Sequence, residues 1–134
     1  MFTKSCLTQA EVQKILAACT AEAKANSWAV SIAVCDDGGH LLGMTRLDNA
    51  APISSHICQA KAKTAALGRR ESKVYEDVIN GGRTSFLSAP LLEGMLEGGV
   101  PILVDGQVIA AVGVSGVKST EDVQIAKAGI AVLG

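Results

Sequence analysis

Gly99 to Gly116 reads GVPILVDGQVIAAVGVSG, two runs of β-favouring residues around Asp105-Gly106. Both turn residues tolerate the positive φ that a two-residue type I′ turn requires, so Val100–Val104 and Gln107–Val114 are expected to pair as antiparallel strands. Ser115-Gly116 ends the second strand. Beyond it, Ser119 or Thr120 can cap a helix whose first turn holds Glu121 and Asp122 and which continues from Val123 to Leu133. The strands are apolar almost throughout rather than alternating, so the sheet should be covered on both faces, by its own helices or by a second subunit.

The chain before this hairpin repeats the same alternation of hairpins and helices. Thr8-Gln9-Ala10-Glu11 has the form of a capping box, and Val12, Ile15, Leu16, Cys19 and Ala23 place one apolar stripe on a helix ending near Asn26. Val30–Cys35 and His40–Leu47 flank Asp36-Asp37-Gly38-Gly39 and read as a second hairpin. Ser54 to Leu67 is Ala-rich and free of Gly and Pro, which favours helix, with Ser54 or Ser55 as its cap. Ser72 to Asn80 reads as a shorter helix stopped by Gly81-Gly82. The stretch to Ala89 reads as loop, and Leu91–Leu96 as a short strand or irregular chain. Strands joined by hairpins form an antiparallel sheet, so the expected class is α/β of the α+β type, with helices packed on the sheet.

A length of 134 residues suits one domain spanning 1–134, whose folding buries roughly two-thirds of the surface of the unfolded chain. Twelve basic residues nearly balance 13 acidic ones, and only 3% of residues are aromatic. Neither the charge nor the stacking surface suits a nucleic acid. No run approaches the ~20 apolar residues of a membrane span, and MFTKSCLTQAEVQ turns polar too early for a signal peptide. The expected setting is cytoplasmic, away from membranes. Cys6, Cys19, Cys35 and Cys58 are widely spaced among apolar neighbours and read as buried free thiols.

Gly113-Val-Ser-Gly116 lacks the second spacer of the G-x-S-x-G nucleophile elbow, and only His40 and His56 could serve as a base. No catalytic residue is assigned on this basis. The amides around Ser115, Gly116 and Val117 could instead face a carboxylate or phosphate, the alternative being a turn that needs glycine for its backbone angles. Arg46 can grip a carboxylate bidentately, Asp48 follows it, and Lys61 and Lys63 lie on the Ala-rich helix. Surface salt bridges are the other use of these charges. Two distant histidines do not make a zinc site, so no metal site is expected. A haem needs only one or two protein ligands in an apolar cleft, a role open to a single histidine.

Val30-Ser-Ile-Ala-Val-Cys-Asp36, Gly38-Gly-His-Leu-Leu42, Arg46-Leu-Asp48, Ala60-Lys-Ala-Lys-Thr-Ala65, Gly98-Gly-Val-Pro-Ile102, and Asp105-Gly106 followed by Gly113-Val-Ser-Gly116 and Glu121-Asp122 occur in order. This pattern resembles the GlcG/HbpS haem-degrading domain family, over about Leu7 to Leu133. The resemblance implies a three-layer sandwich, a mainly antiparallel five-stranded sheet flanked by helices, assembling as a homo-oligomer from dimers to octamers. Its members include glycolate-utilisation accessory proteins, haem-binding proteins of a redox sensing system, and the C-terminal domain of a propanediol-utilisation corrinoid adenosyltransferase. By matching position, Arg46, Asp48, Lys61, Thr64, Gly98, Gly99, Pro101, Gly113, Ser115, Gly116 and Asp122 carry the pattern. Val117 departs from it, standing where many relatives continue with glycine.

The functional expectation is a small-molecule or haem-binding accessory protein holding its ligand in a sheet–helix cleft. Arg46, Asp48, His56, Lys61, Gly113, Ser115, Gly116 and Asp122 are the ligand-binding candidates, and haem is the candidate cofactor. The alternatives are an enzyme acting on a small oxygenated metabolite of a glycolate, glycerol or diol pathway, and an oligomeric scaffold for partner enzymes.

Overall fold

The computed structural model describes residues 1–134. The elements are α1 (Gln9–Ala25), β1 (Ser31–Asp36), β2 (Leu41–Arg46), α2 (Pro52–Gly68), α3 (Lys73–Asn80), a 3₁₀ segment (Thr84–Ser88), β3 (Gly99–Val104), β4 (Gln107–Ser115) and α4 (Ser119–Ile130), with a final 3₁₀ turn at Ala131–Leu133. One antiparallel sheet has the order β2-β1-β4-β3.

Local chemistry accounts for these boundaries. Thr8 and Glu11 form the expected capping box, the Glu11 carboxylate accepting the Thr8 amide at 2.9 Å while the Thr8 hydroxyl accepts the Glu11 amide at 3.2 Å. Asp105 (φ 52°) and Gly106 (φ 74°) make the tight turn between β3 and β4. In the first hairpin the Asp36 carboxylate accepts the amides of Gly38 and His40, each at 2.9 Å, so the side chain itself organises the turn.

The two faces of the sheet have different cores. Val12, Ile15, Leu16 and Cys19 of α1 and Ile125 and Ala126 of α4 pack on Ile32, Val34, Val112 and Val114. Each large aliphatic side chain so buried contributes roughly 1.5–3 kcal/mol. On the other face α2 lies on Ala33, Cys35 and Ala111 through Cys58, Ala62, Ala65 and Ala66. These small side chains bring the helix backbone very close: a Cβ on Gly113 would overlap the carbonyl of Cys58 and the amide of Ala62.

Several expectations change. The sheet has four strands, not the five that the resemblance implies. Of the two readings of Leu91–Leu96 the irregular one holds, with Leu91 at φ 65° and Gly94 pressed against the α2 backbone at Ala60 and Lys61. Thr84–Ser88 is a 3₁₀ turn rather than open loop. Neither Ser54 nor Ser55 caps α2, which starts at Pro52 after Ala51 without a side-chain cap. Their hydroxyls donate backwards to the carbonyls of Ala51 and Pro52. Helix α4 starts after Lys118, whose amide donates to Glu121 at 3.2 Å, while the Ser119 hydroxyl turns to Glu97. Cys6 is exposed, and the other three thiols are buried. No helix is long and apolar enough to cross a membrane.

Candidate functional site

A cleft of about 280 Å³ opens between α2 and the β1–β2 hairpin. Ala33 and Cys35 of β1 line it with Leu41 of β2, while α2 contributes His56, Gln59, Ala60 and Lys63 and the irregular segment contributes Glu93. The three- and four-residue spacing of His56, Gln59, Ala60 and Lys63 sets them on one side of the helix. Gln59 lies between α2 and β2: its amide donates to the Ser55 carbonyl at 2.8 Å and reaches Met44 Sδ at 3.4 Å. Burial pushes the Cys35 thiol up to about 12, with the neighbouring Asp36 charge acting in the same direction. At neutral pH this part of the lining is an uncharged, weakly polar surface.

Lys61 is on the same helix but takes no part in that cleft. Its ammonium is enclosed, donating to the Val114 carbonyl at 2.9 Å and to Asp122 Oδ2 at 3.2 Å. Asp122 Oδ1 in turn accepts the Val117 amide at 3.3 Å. Burial raises the Asp122 carboxyl to about 6, against the opposing pull of Lys61 and the Val117 amide. One amide of the β4–α4 corner thus already has an acceptor within the chain. Gly116 packs closely on Ala29 and Val30 in the same region, and Gly113 lies under α2.

A third arrangement runs across the sheet. Register places Arg46 opposite Ser31, and Ser31 opposite Ser115, so the three side chains share the face that α2 covers. The Ser31 and Ser54 hydroxyls are 2.8 Å apart, and Arg46 Nε donates to the Ala50 carbonyl at 3.2 Å, just ahead of α2. Asp48 lies apart from this row, in a recess of about 290 Å³ with Lys24, Trp28 and Asn49.

The expected ligand residues therefore fall into separate places. His56 lines the cleft; Arg46 and Ser115 occupy the end of the sheet; Lys61 and Asp122 form an internal tie; Asp48 borders another recess. Gln59, Lys63, Cys35 and Glu93 join His56 without having been among the candidates. Lys63 carried a usable signal, because it stands seven residues, two helical turns, after His56. Glu93 carried none, since irregular chain brings it there.

This is a small α+β sandwich protein with a mixed polar and apolar cleft on the single-helix face of its sheet. The chain belongs to the family described as haem degrading protein HbpS-like, whose model matches residues 7–131. It is 60% identical to Protein GlcG of Escherichia coli K12 over 115 residues, covering 86% of this chain and 85% of that protein. A crystal structure of a double mutant of Streptomyces reticuli HbpS is similar at TM-score 0.89 and 30% identity, covering 100% of this chain and 91% of that one. The crystal structure of a PduOC–haem complex is similar at TM-score 0.82 and 25% identity, covering 95% and 94% of the two chains.

Proposed function

We propose that this chain is a haem-binding accessory protein whose ligand occupies the cleft between α2 and the β1–β2 hairpin. The observation that carries this reading is an imidazole, His56, sharing a cleft with Ala33, Cys35 and Leu41, with Lys63 two turns further along the same helix. The donor set fits the group: one imidazole for the iron, small apolar residues for the macrocycle, and a lysine ammonium for a propionate carboxylate. The haem complex of the related PduOC supports the same reading. When bound, haem supplies an iron centre capable of electron transfer and exchange of small ligands. In this reading His56 orients the group, Lys63 holds its acidic edge, and Ala33, Cys35 and Leu41 keep water from its buried side. The reading includes a homo-oligomer: β2 is an outer strand bearing exposed Leu41 and Leu42, which a second copy can cover.

Titration with hemin, followed at the Soret band, tests the assignment. Stoichiometric binding with a shifted band is expected for the unaltered chain, a band restored to that of free hemin for His56→Ala, and several-fold weaker binding for Lys63→Gln. An unchanged spectrum in His56→Ala removes the imidazole from the site. No Soret shift with the unaltered chain rejects haem binding altogether.

A further inference from the structure

Asp48 lies outside the haem reading, in a recess of about 290 Å³ that shares no lining residue with the cleft. We propose that this recess is a second site, and that it takes a small methylated ammonium carboxylate, a zwitterion whose quaternary nitrogen and carboxylate are joined by a short carbon link. One side of the recess is the last turn of α1 and the chain just after it, with Lys24, Ser27 and Trp28. The other is the turn after β2, with Leu47, Asp48 and Asn49. Its volume lies at the small end of ligand sites, which span roughly 300–1,000 Å³, and suits a molecule of few heavy atoms.

Both sides are fixed by the backbone. The Trp28 amide donates to the Ala23 carbonyl at 2.8 Å and the Ser27 amide to the Lys24 carbonyl at 3.1 Å. Across the recess, the Leu47 amide donates to the Val30 carbonyl at 2.9 Å and the Ala50 amide to the Leu47 carbonyl at 3.2 Å, closing the turn that carries Asp48 and Asn49. The recess therefore exists before a ligand arrives, and binding orders little backbone.

The chemistry of the lining selects the ligand. Trp28, the only tryptophan of the chain, is half-buried: its ring packs against the main core and also borders the recess. An indole face attracts a cation, and Asp48 adds a full negative charge in the same space. Lys24 supplies the opposite charge. These two are the only charged residues lining the recess, and neither enters a salt bridge, with the other or with any other group. A ligand with one charge answers one of them, whereas an ammonium carboxylate answers both. Methylation decides the kind of ammonium. A primary ammonium is strongly hydrated, and an open recess repays little of the water it gives up. A quaternary nitrogen has no N–H to satisfy and sets its methyl groups against Trp28 and Leu47.

The single tryptophan makes its fluorescence a reporter of this recess, and the probes are glycine betaine, tetramethylammonium, acetate and glycine. Glycine betaine is expected to change the fluorescence saturably, to shift the amides of Ser27, Asp48 and Asn49 in the ¹⁵N-labelled chain, and to bind at least tenfold more tightly than the other three. Asp48→Asn should weaken it at least fivefold. Lys24 is exposed, so Lys24→Met keeps the fold; it should bring glycine betaine down to the affinity of tetramethylammonium while leaving tetramethylammonium no weaker. Absence of a saturable response to glycine betaine overturns the proposal, as does undiminished binding in both variants. Tetramethylammonium or acetate binding as tightly as glycine betaine overturns the zwitterion, and glycine binding as tightly overturns the methylated class. Hemin titration of Asp48→Asn separates this site from the cleft: a normal Soret shift supports two independent sites, and loss of both ligands with an intact amide spectrum overturns their independence.

Discussion

Lys61 Nζ lies 3.2 Å from Asp122 Oδ2, although 61 residues of sequence separate them and the two residues are only 4% and 2% exposed. The pair ties the middle of α2 to the first turn of α4, and the Val114 carbonyl and Val117 amide complete it. Such a pair fixes how the two helices sit around β4. Its net contribution depends on whether the mutual attraction offsets the cost of taking both charges out of water.

That balance makes stability depend on pH. Burial raises the folded-state carboxyl of Asp122 from 3.8 to about 6, so the folded chain holds this proton more tightly than the unfolded chain. Its contribution is fully present below about pH 4 and is lost as pH rises through about 6, a change on the order of 3 kcal/mol. Urea unfolding from pH 3.5 to 7.5 should show this downward component in the unaltered chain and lose it in Asp122→Asn. A difference curve that is flat or rises with pH would show that Lys61 outweighs burial.

Removing one member of the pair is expected to cost more than removing both. Lys61→Met leaves Asp122 enclosed without the cation that opposes burial, so the carboxyl must stay charged unpaired or take up a proton, and the variant is destabilised by up to about 3–5 kcal/mol near neutral pH. In Lys61→Met with Asp122→Leu no buried charge remains. The double variant should therefore fall short of the summed single effects by at least about 2 kcal/mol. Additive losses in denaturant midpoints would mean that the two side chains do not act as a unit.

The history of this pair in the sequence shows where local reading ends. Thr8–Glu11 and Asp105-Gly106 were legible because each acts within four residues through hydrogen bonds or dihedral angles that the residue types prescribe. The membership of both hairpins and the two-sided cover of the sheet followed from apolar patterning. Lys61 gave no sign of its burial, since a lysine on an Ala-rich helix is usually solvated and its partner arrives from another element. The sequence candidates also implied one shared cleft, whereas strand register groups Arg46 with Ser31 and Ser115, and helix phase groups His56 with Lys63. The choice between short strand and irregular chain at Leu91–Leu96 stayed open for a related reason: Gly94 is shaped by contact with α2, a tertiary constraint invisible in that segment itself.

Close packing of α2 predicts a sharp difference between two glycines. A methyl group on Gly113 meets backbone atoms of Cys58 and Ala62, which cannot rotate away, so Gly113→Ala should cost at least the roughly 1–3 kcal/mol of overpacking. At Gly106 the space is open, with nothing within 4 Å, and only φ 74° resists a side chain. Gly106→Ala should cost about 1 kcal/mol. Thermal unfolding of both variants decides the point: similar losses would remove backbone contact as the reason for glycine at 113.

Thiol labelling tests the interior and the cleft together. Burial pushes Cys19, Cys35 and Cys58 up to about 12, whereas Cys6 is exposed. The thiolate is the reactive form, and at pH 8 a thiol of that acidity is ionised to only about one part in ten thousand. An aromatic disulfide reagent should consequently titrate one equivalent rapidly in the native chain and four in guanidinium chloride. Cys35 is the informative case because it alone of the buried three lines the cleft. Mass analysis after brief labelling should find modification at Cys6 and none at Cys35. Rapid modification of Cys35 would mean that water and reagent reach this wall of the cleft, making it a poor surface for the buried side of a macrocycle.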